Sequence, residues 1–149
     1  KYKKAPEEAV QFYLKHLKGI NNWDLVDLSA PYILGDYLVK HSDHSVLYTL
    51  AQSPVMWEQR IAVVSTLMLI RHGQVADTIE LAKIFLGTKH DLMQKAVGWM
   101  LREMGKRDIA LLRIFLDKHA ATMPRTMLRY AIEKMDSAER HDWMGRREK

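Results

Sequence analysis

Two tryptophans, an aspartate and an arginine stand at spacings that repeating helices would bring together. Trp23 and Asp27 are four residues apart, so they share one face of a helix. Arg60 follows Asp27 by 33 residues, and Trp99 follows Arg60 by 39. A carboxylate beside a growing positive charge stabilises it in the transition state. Indole faces attract cations by ~0.5–2 kcal/mol. A guanidinium holds a phosphate or orients a carboxylate through paired hydrogen bonds. The set reads as an aromatic–acid–base cluster, and no cofactor or metal is expected. Two plainer readings stay open: a helix Trp is more often packing, and Asp27 with Arg60 can be an ion pair between repeats.

The elements that would carry these residues are helices. Pro6 with Glu7 and Glu8 reads as a helix start and Gly19 as its stop. The seven Gly and four Pro fall at segment edges, and Gly73, Gly87 and Gly105 read as helix ends. The spacing predicts helices over 6–18, 22–40, 43–52, 55–72, 74–86, 91–105, 107–119, 124–135 and 137–146. No period-2 strand and no Asn-Gly or Asp-Gly hairpin turn is present. The segment around Ile61, Val64, Leu67 and Met68 is apolar nearly all round, which predicts burial on most sides. Ile109, Leu112, Phe115 and Leu116 form a single stripe.

The sequence also repeats. Lys83-Ile84-Phe85-Leu86 recurs as Arg113-Ile114-Phe115-Leu116, and Gln59-Arg60 as Gln94-Lys95. Arg102-Glu103-Met104 is echoed by Glu133-Lys134-Met135. A period near 30–37 residues with two helices per unit predicts an all-α, HEAT-like or armadillo-type α-solenoid of antiparallel helix pairs, one domain over 1–149. The second helices, 22–40, 55–72, 91–105 and 124–135, would line one surface and carry Trp23, Asp27, Arg60 and Trp99.

Composition narrows the classes. There is no cysteine, which removes disulfide scaffolds, thiolate metal sites and thiol nucleophiles. Hydrophobic residues make up 48% and charged residues 28%, a globular balance. No apolar run approaches the ~20 residues of a membrane span, and the opening KYKKAPEEAV is no signal peptide. A cytoplasmic location without membrane contact is the expectation. The chain lacks an initiator Met, so a longer protein with a preceding part is expected. Between Lys89 and Arg129 nine Lys or Arg face four Asp or Glu, a surplus equal to the chain's whole net charge of +5. Such a block points to a polyanion, first of all nucleic acid; the plain alternative is a solvated helix surface.

Four motifs in order resemble a known family: Asn22-Trp23-Asp24-Leu25-Val26-Asp27, Trp57-Glu58-Gln59-Arg60, Lys95-Ala96-Val97-Gly98-Trp99 with Leu101-Arg102-Glu103, and Pro124-Arg125-Thr126-Met127-Leu128-Arg129-Tyr130. Together they are similar to the AlkD-like DNA alkylation repair enzymes, HEAT-like-repeat alkylpurine DNA glycosylases, from about Gly19 to about Lys134. The resemblance implies hydrolysis of the N-glycosidic bond of cationic N3- or N7-alkylated purines in duplex DNA. It assigns the catalytic carboxylate to Asp27, the two sugar-facing indoles to Trp23 and Trp99, and their companion guanidinium to Arg60. Two departures stand out. Asn22 occupies a position where active members carry a second Trp, and family members have further repeats before this region. The family also includes DNA-binding paralogues with little activity, and HEAT-like stacks commonly serve as protein scaffolds.

Lys95, Arg102, Lys106, Arg125 and Arg129 are the expected phosphate contacts. No obligate protein partner is evident from the sequence. His41 and His44, in His-Ser-Asp-His, read as a polar loop rather than a metal site. No GxGxxG, P-loop or GxSxG motif is present. Gly98 sits in mid-helix beside Trp99, where it costs ~1 kcal/mol against Ala and allows close backbone approach. Packing is the expected role of Tyr130 and of most of the nine Met.

Overall fold

The structure, a computed structural model, describes residues 29–146 together with Gln11, Lys15 and Asp27. It is helical, with no strand among the described residues. A π-turn, Pro31–Gly35, runs straight into α1, Asp36–Val39. Next come α2 (Ser45–Ala51), α3 (Met56–Arg71), α4 (Ala76–Ile84), α5 (Asp91–Arg107), α6 (Ile109–His119), α7 (Arg125–Ala131) and α8 (Ser137–Gly145). The chain forms two compact units, Lys1–Asp77 and Thr78–Lys149.

In the first unit α3 packs against α2 and against the π-turn with α1. Almost every residue from Arg60 to Ile70 is buried, as the all-round apolar sequence requires. Ala30, Leu34 and Leu38 step by four along the preceding helical segment and are fully buried. The two backbones come close at Gly35: a Cβ there would lie 2.4 Å from the Ser65 carbonyl oxygen. Gly73 ends α3 as expected, at φ +79°. The Gln74 N–H reaches the Leu69 carbonyl (2.8 Å) and the Gly73 N–H that of Ile70 (2.9 Å), a Schellman ending.

In the second unit α5 packs against α6 and α7, and α8 packs on α7. Met93, Val97, Met100, Leu101 and Met104 form the buried face of α5. Leu112, Phe115 and Leu116 of α6 are buried, whereas Ile109, expected in the same stripe, is 39% exposed at the helix start. Gly98 is the point of closest approach to α7: a Cβ would lie 2.5 Å from Tyr130 Cβ and 2.6 Å from the Met127 carbonyl. In each unit, then, second-helix segments lie against each other with a glycine at the contact.

Several expected boundaries move. Gly105 does not end its helix, which runs on to Arg107. Its small size instead admits Leu112 of α6, whose Cδ2 would be 2.5 Å from a Cβ. Asp108 is the true break: extended at φ −149° and ψ 93°, it closes α5 and accepts the Ala110 and Leu111 N–H groups at the start of α6. The helix expected over 124–135 stops at Ala131. The rule that every proline marks an edge fails at Pro31, which lies inside the run expected as helix 22–40.

Two loops share one design. The Ser53 hydroxyl accepts the Val55 N–H (3.0 Å), and the Gln59 side-chain amide donates to the Ser53 carbonyl (2.7 Å). Thirty-five residues on, the Thr88 hydroxyl accepts the His90 N–H (3.4 Å), and Gln94 donates to the Thr88 carbonyl (3.1 Å). Both loops therefore enter a second helix, α3 or α5, through the same pair of side-chain contacts.

Candidate functional site

Arg60 lies in the second turn of α3 and is only 4% exposed. A guanidinium so deeply placed requires a counter-charge, since an unpaired buried ion costs several kcal/mol. Asp27 supplies it. Arg60 Nε donates to Asp27 Oδ1 at 3.2 Å and Nη2 donates to Oδ2 at 3.0 Å, the two-pronged geometry that fixes a carboxylate in orientation. The Asp27 side chain keeps 19% of its surface open. The carboxylate is thus held from one side and still reachable. The spacing of 33 residues places this pair as the sequence predicts.

Trp99 belongs to the second unit, on α5. It is half-buried and sits one turn after Lys95. Lys95, Trp99, Arg102 and Lys106 follow the steps i, i+4, i+7 and i+11, so they share one side of α5, opposite its buried methionines. An indole among cations is the pattern of a nucleic-acid-facing surface. Each cation has a local partner. Lys95 pairs with Asp91 (3.0 Å), Arg102 with Glu133 (3.0 Å) and Lys106 with Glu103 (2.9 Å). Arg129 is exposed on α7 and donates to the Thr126 hydroxyl (3.3 Å). Arg125 is turned inward: its guanidinium donates to the carbonyls of Met144 (3.0 Å), Ala120 (2.9 Å) and Met123 (3.3 Å), tying together the ends of α6 and α8. Arg102, Lys106, Arg113 and Lys134 border a cavity of about 310 Å³. The carboxylates of Glu103, Glu133 and Glu139 balance them. Trp23, Asn22 and Asp24 lie outside the described residues.

His44 is enclosed by acceptors. Its Nδ1 faces the Asp77 carboxylate, and its Nε2 faces the carbonyls of Leu38 (2.8 Å) and His41 (2.7 Å). Tyr48 donates to the other Asp77 oxygen at 2.6 Å. Burial pulls the His44 pKa down, but the carboxylate and the two carbonyls outweigh it and hold the imidazolium above its ordinary 6.5. His41 stacks on Tyr37 and hydrogen-bonds to its carbonyl (2.7 Å). The histidine pair therefore pins the loop before α2, as the polar-loop reading expects. Sequence reasoning missed Asp77, although it stands 33 residues from His44, the same spacing that links Asp27 to Arg60. Among the described residues no cluster of three or more His, Asp or Glu has metal-site geometry, and no helix is long and apolar enough to cross a membrane.

The comparison with protein families now decides the kinship. A family model described as DNA alkylation repair enzyme matches residues 1–135. The chain belongs to that family. No curated protein and no solved structure matches it. As a DNA alkylation repair family member it is expected at DNA, in keeping with the cationic side of α5. The match spans both the Asp27–Arg60 pair and the α5 stripe.

Proposed function

We propose that this DNA alkylation repair family member is a DNA glycosylase that hydrolyses the N-glycosidic bond of cationic N3- and N7-alkylated purines in duplex DNA. The observation that carries the reading is Asp27: a carboxylate locked in orientation by a buried arginine and still partly exposed. An alkylated purine already bears positive charge. When its glycosidic bond breaks, the electron pair leaves with the base and neutralises it, and positive charge passes to the sugar. Asp27 stabilises that charge without needing to protonate anything. Water then adds to the sugar carbon and gives up its proton to solvent or to Asp27. The resemblance gives Trp23 and Trp99 the role of indole faces toward the sugar. Lys95, Arg102, Lys106 and Arg129 would hold phosphates by exchanging their local partners for the backbone of DNA. Arg125 serves the fold better than the ligand.

One observation favours a second reading, a DNA-binding paralogue without chemistry: both Asp27 oxygens are already engaged by Arg60. Incubation with duplex DNA containing N7-methylguanine separates the readings. Free base in solution supports the glycosylase. DNA binding without release supports the paralogue, and neither outcome would leave the protein-scaffold use of helical repeats.

A further inference from the structure

We infer that the π-turn Pro31–Gly35 is a register device, and that Pro31 is a positioning residue for the Asp27 carboxylate. The role in catalysis rests on the function proposed above; the role in register does not. Pro31 stands four residues after Asp27. In an α-helix the N–H at that place would bond the Asp27 carbonyl. Proline has no N–H, and its ring pushes against the carbonyl four residues back. The chain responds with a wider turn, in which the Asp36 N–H bonds the Pro31 carbonyl, five residues back instead of four. Ala30, Gly35 and Asp36 all keep right-handed helical angles, so this is one helix with an inserted residue and not a break.

An inserted residue rotates the stretch of helix before it by about 100° relative to the stretch after it. Both sides of this insertion are anchored on α3. After it, Gly35 sits so close to Ser65 that a Cβ would lie 2.4 Å from the carbonyl oxygen, and Leu38 is fully buried. Before it, Ala30 is fully buried with its carbonyl accepting the Ser65 hydroxyl (3.4 Å), and Asp27 meets Arg60. A regular helix through the Gly35 anchor would turn Asp27 away from Arg60. The π-turn lets both contacts exist at once.

Pro31→Ala tests this. It restores the missing donor, so the variant is expected to fold. Coupling between Asp27→Asn and Arg60→Gln is measured by a double-mutant cycle in denaturant unfolding, in the native and the Pro31→Ala backgrounds. The slowed exchange of the Arg60 Nε proton by NMR gives a second measure that needs no multiple variants. Single-turnover release of N7-methylguanine from duplex DNA is measured in parallel. The expected result is loss of at least half the coupling, faster Arg60 Nε exchange and base release at least tenfold slower, with DNA affinity unchanged. Retained coupling and slow exchange overturn the inference, whatever the rate does. Lost coupling with full base release overturns the positioning role in catalysis. If the native protein releases no base, the proposed function fails, and the coupling and exchange measurements still decide whether Pro31 sets the register.

Discussion

At the residue scale the question is what Asp27 does besides neutralising Arg60. Asp27→Asn keeps the shape and an acceptor oxygen but removes the charge. If the carboxylate stabilises a sugar cation, base release falls by ~10²–10³-fold, while affinity for undamaged duplex holds or rises because a negative charge has left a polyanion site. The same change leaves Arg60 buried without its counter-charge, so stability falls as well, by as much as ~3 kcal/mol. Rates are therefore compared well below the melting transition, with helical circular dichroism confirming the fold. A variant that melts lower yet releases base at the full rate would leave Asp27 a structural ion. The contact of Asp27 with Arg60 was legible from the 33-residue spacing between them. Pro31 was not, because it acts by deleting a backbone donor; Asp77 went unread although it stands 33 residues from His44, the spacing that also links Asp27 to Arg60.

At the element scale glycines and a histidine set the terms. Gly98→Ala should gain ~1 kcal/mol of helix propensity but place a methyl against Tyr130 and the Met127 carbonyl. Overpacking of this kind costs ~1–3 kcal/mol, so the melting temperature is expected to fall. Gly87→Ala meets nothing within 4 Å and is the matched control, expected to be neutral or stabilising. His44 gives a pH dependence with a defined sign. Its pKa is raised on folding, so its contribution is complete below the ordinary 6.5 and is lost as pH rises through the folded-state value. Denaturant unfolding from mildly acidic to mildly basic pH should show this decline, and His44→Gln should flatten it. Glu139 runs the other way. Arg113 and Trp143 hold its pKa below 4.5, so its contribution is present above that value and lost as pH falls. Among the described residues helix existence was readable from apolar spacing, while the helix expected over 6–18 lies outside them except at Gln11 and Lys15. Helix ends were less so, because Gly105 and Asp108 look alike as punctuation until a neighbouring helix shows which of them is packed and which is extended.

At the scale of the whole molecule, DNA binding should be mainly electrostatic. The slope of log K against log[salt] is roughly −0.9 per phosphate neutralised. Alanine at Lys95 or at Arg129 should each lessen that slope by about one phosphate's worth, uniformly across sequences. Arg125→Ala should act through stability instead, since it releases three backbone carbonyls in the second unit. Fluorescence anisotropy with undamaged duplex at several salt concentrations reads the first effect, and thermal melting the second. A slope unmoved by Lys95→Ala would remove it from the interface. The all-helical class and the family were both legible in the sequence, the first from periodicity and the second from the order of four motifs.

The loops at Ser53 and Thr88 also show how little of a turn must be specified. Between the segments 53–59 and 88–94 only the hydroxyl at the first place and the glutamine at the last are held in common, as every residue between them differs. Yet both segments make the same two contacts. The entry to each helix is thus written in its two end residues, and the five positions between them are free of that duty. Such a turn is a transferable part, open to an engineer who keeps its two ends and rewrites its middle.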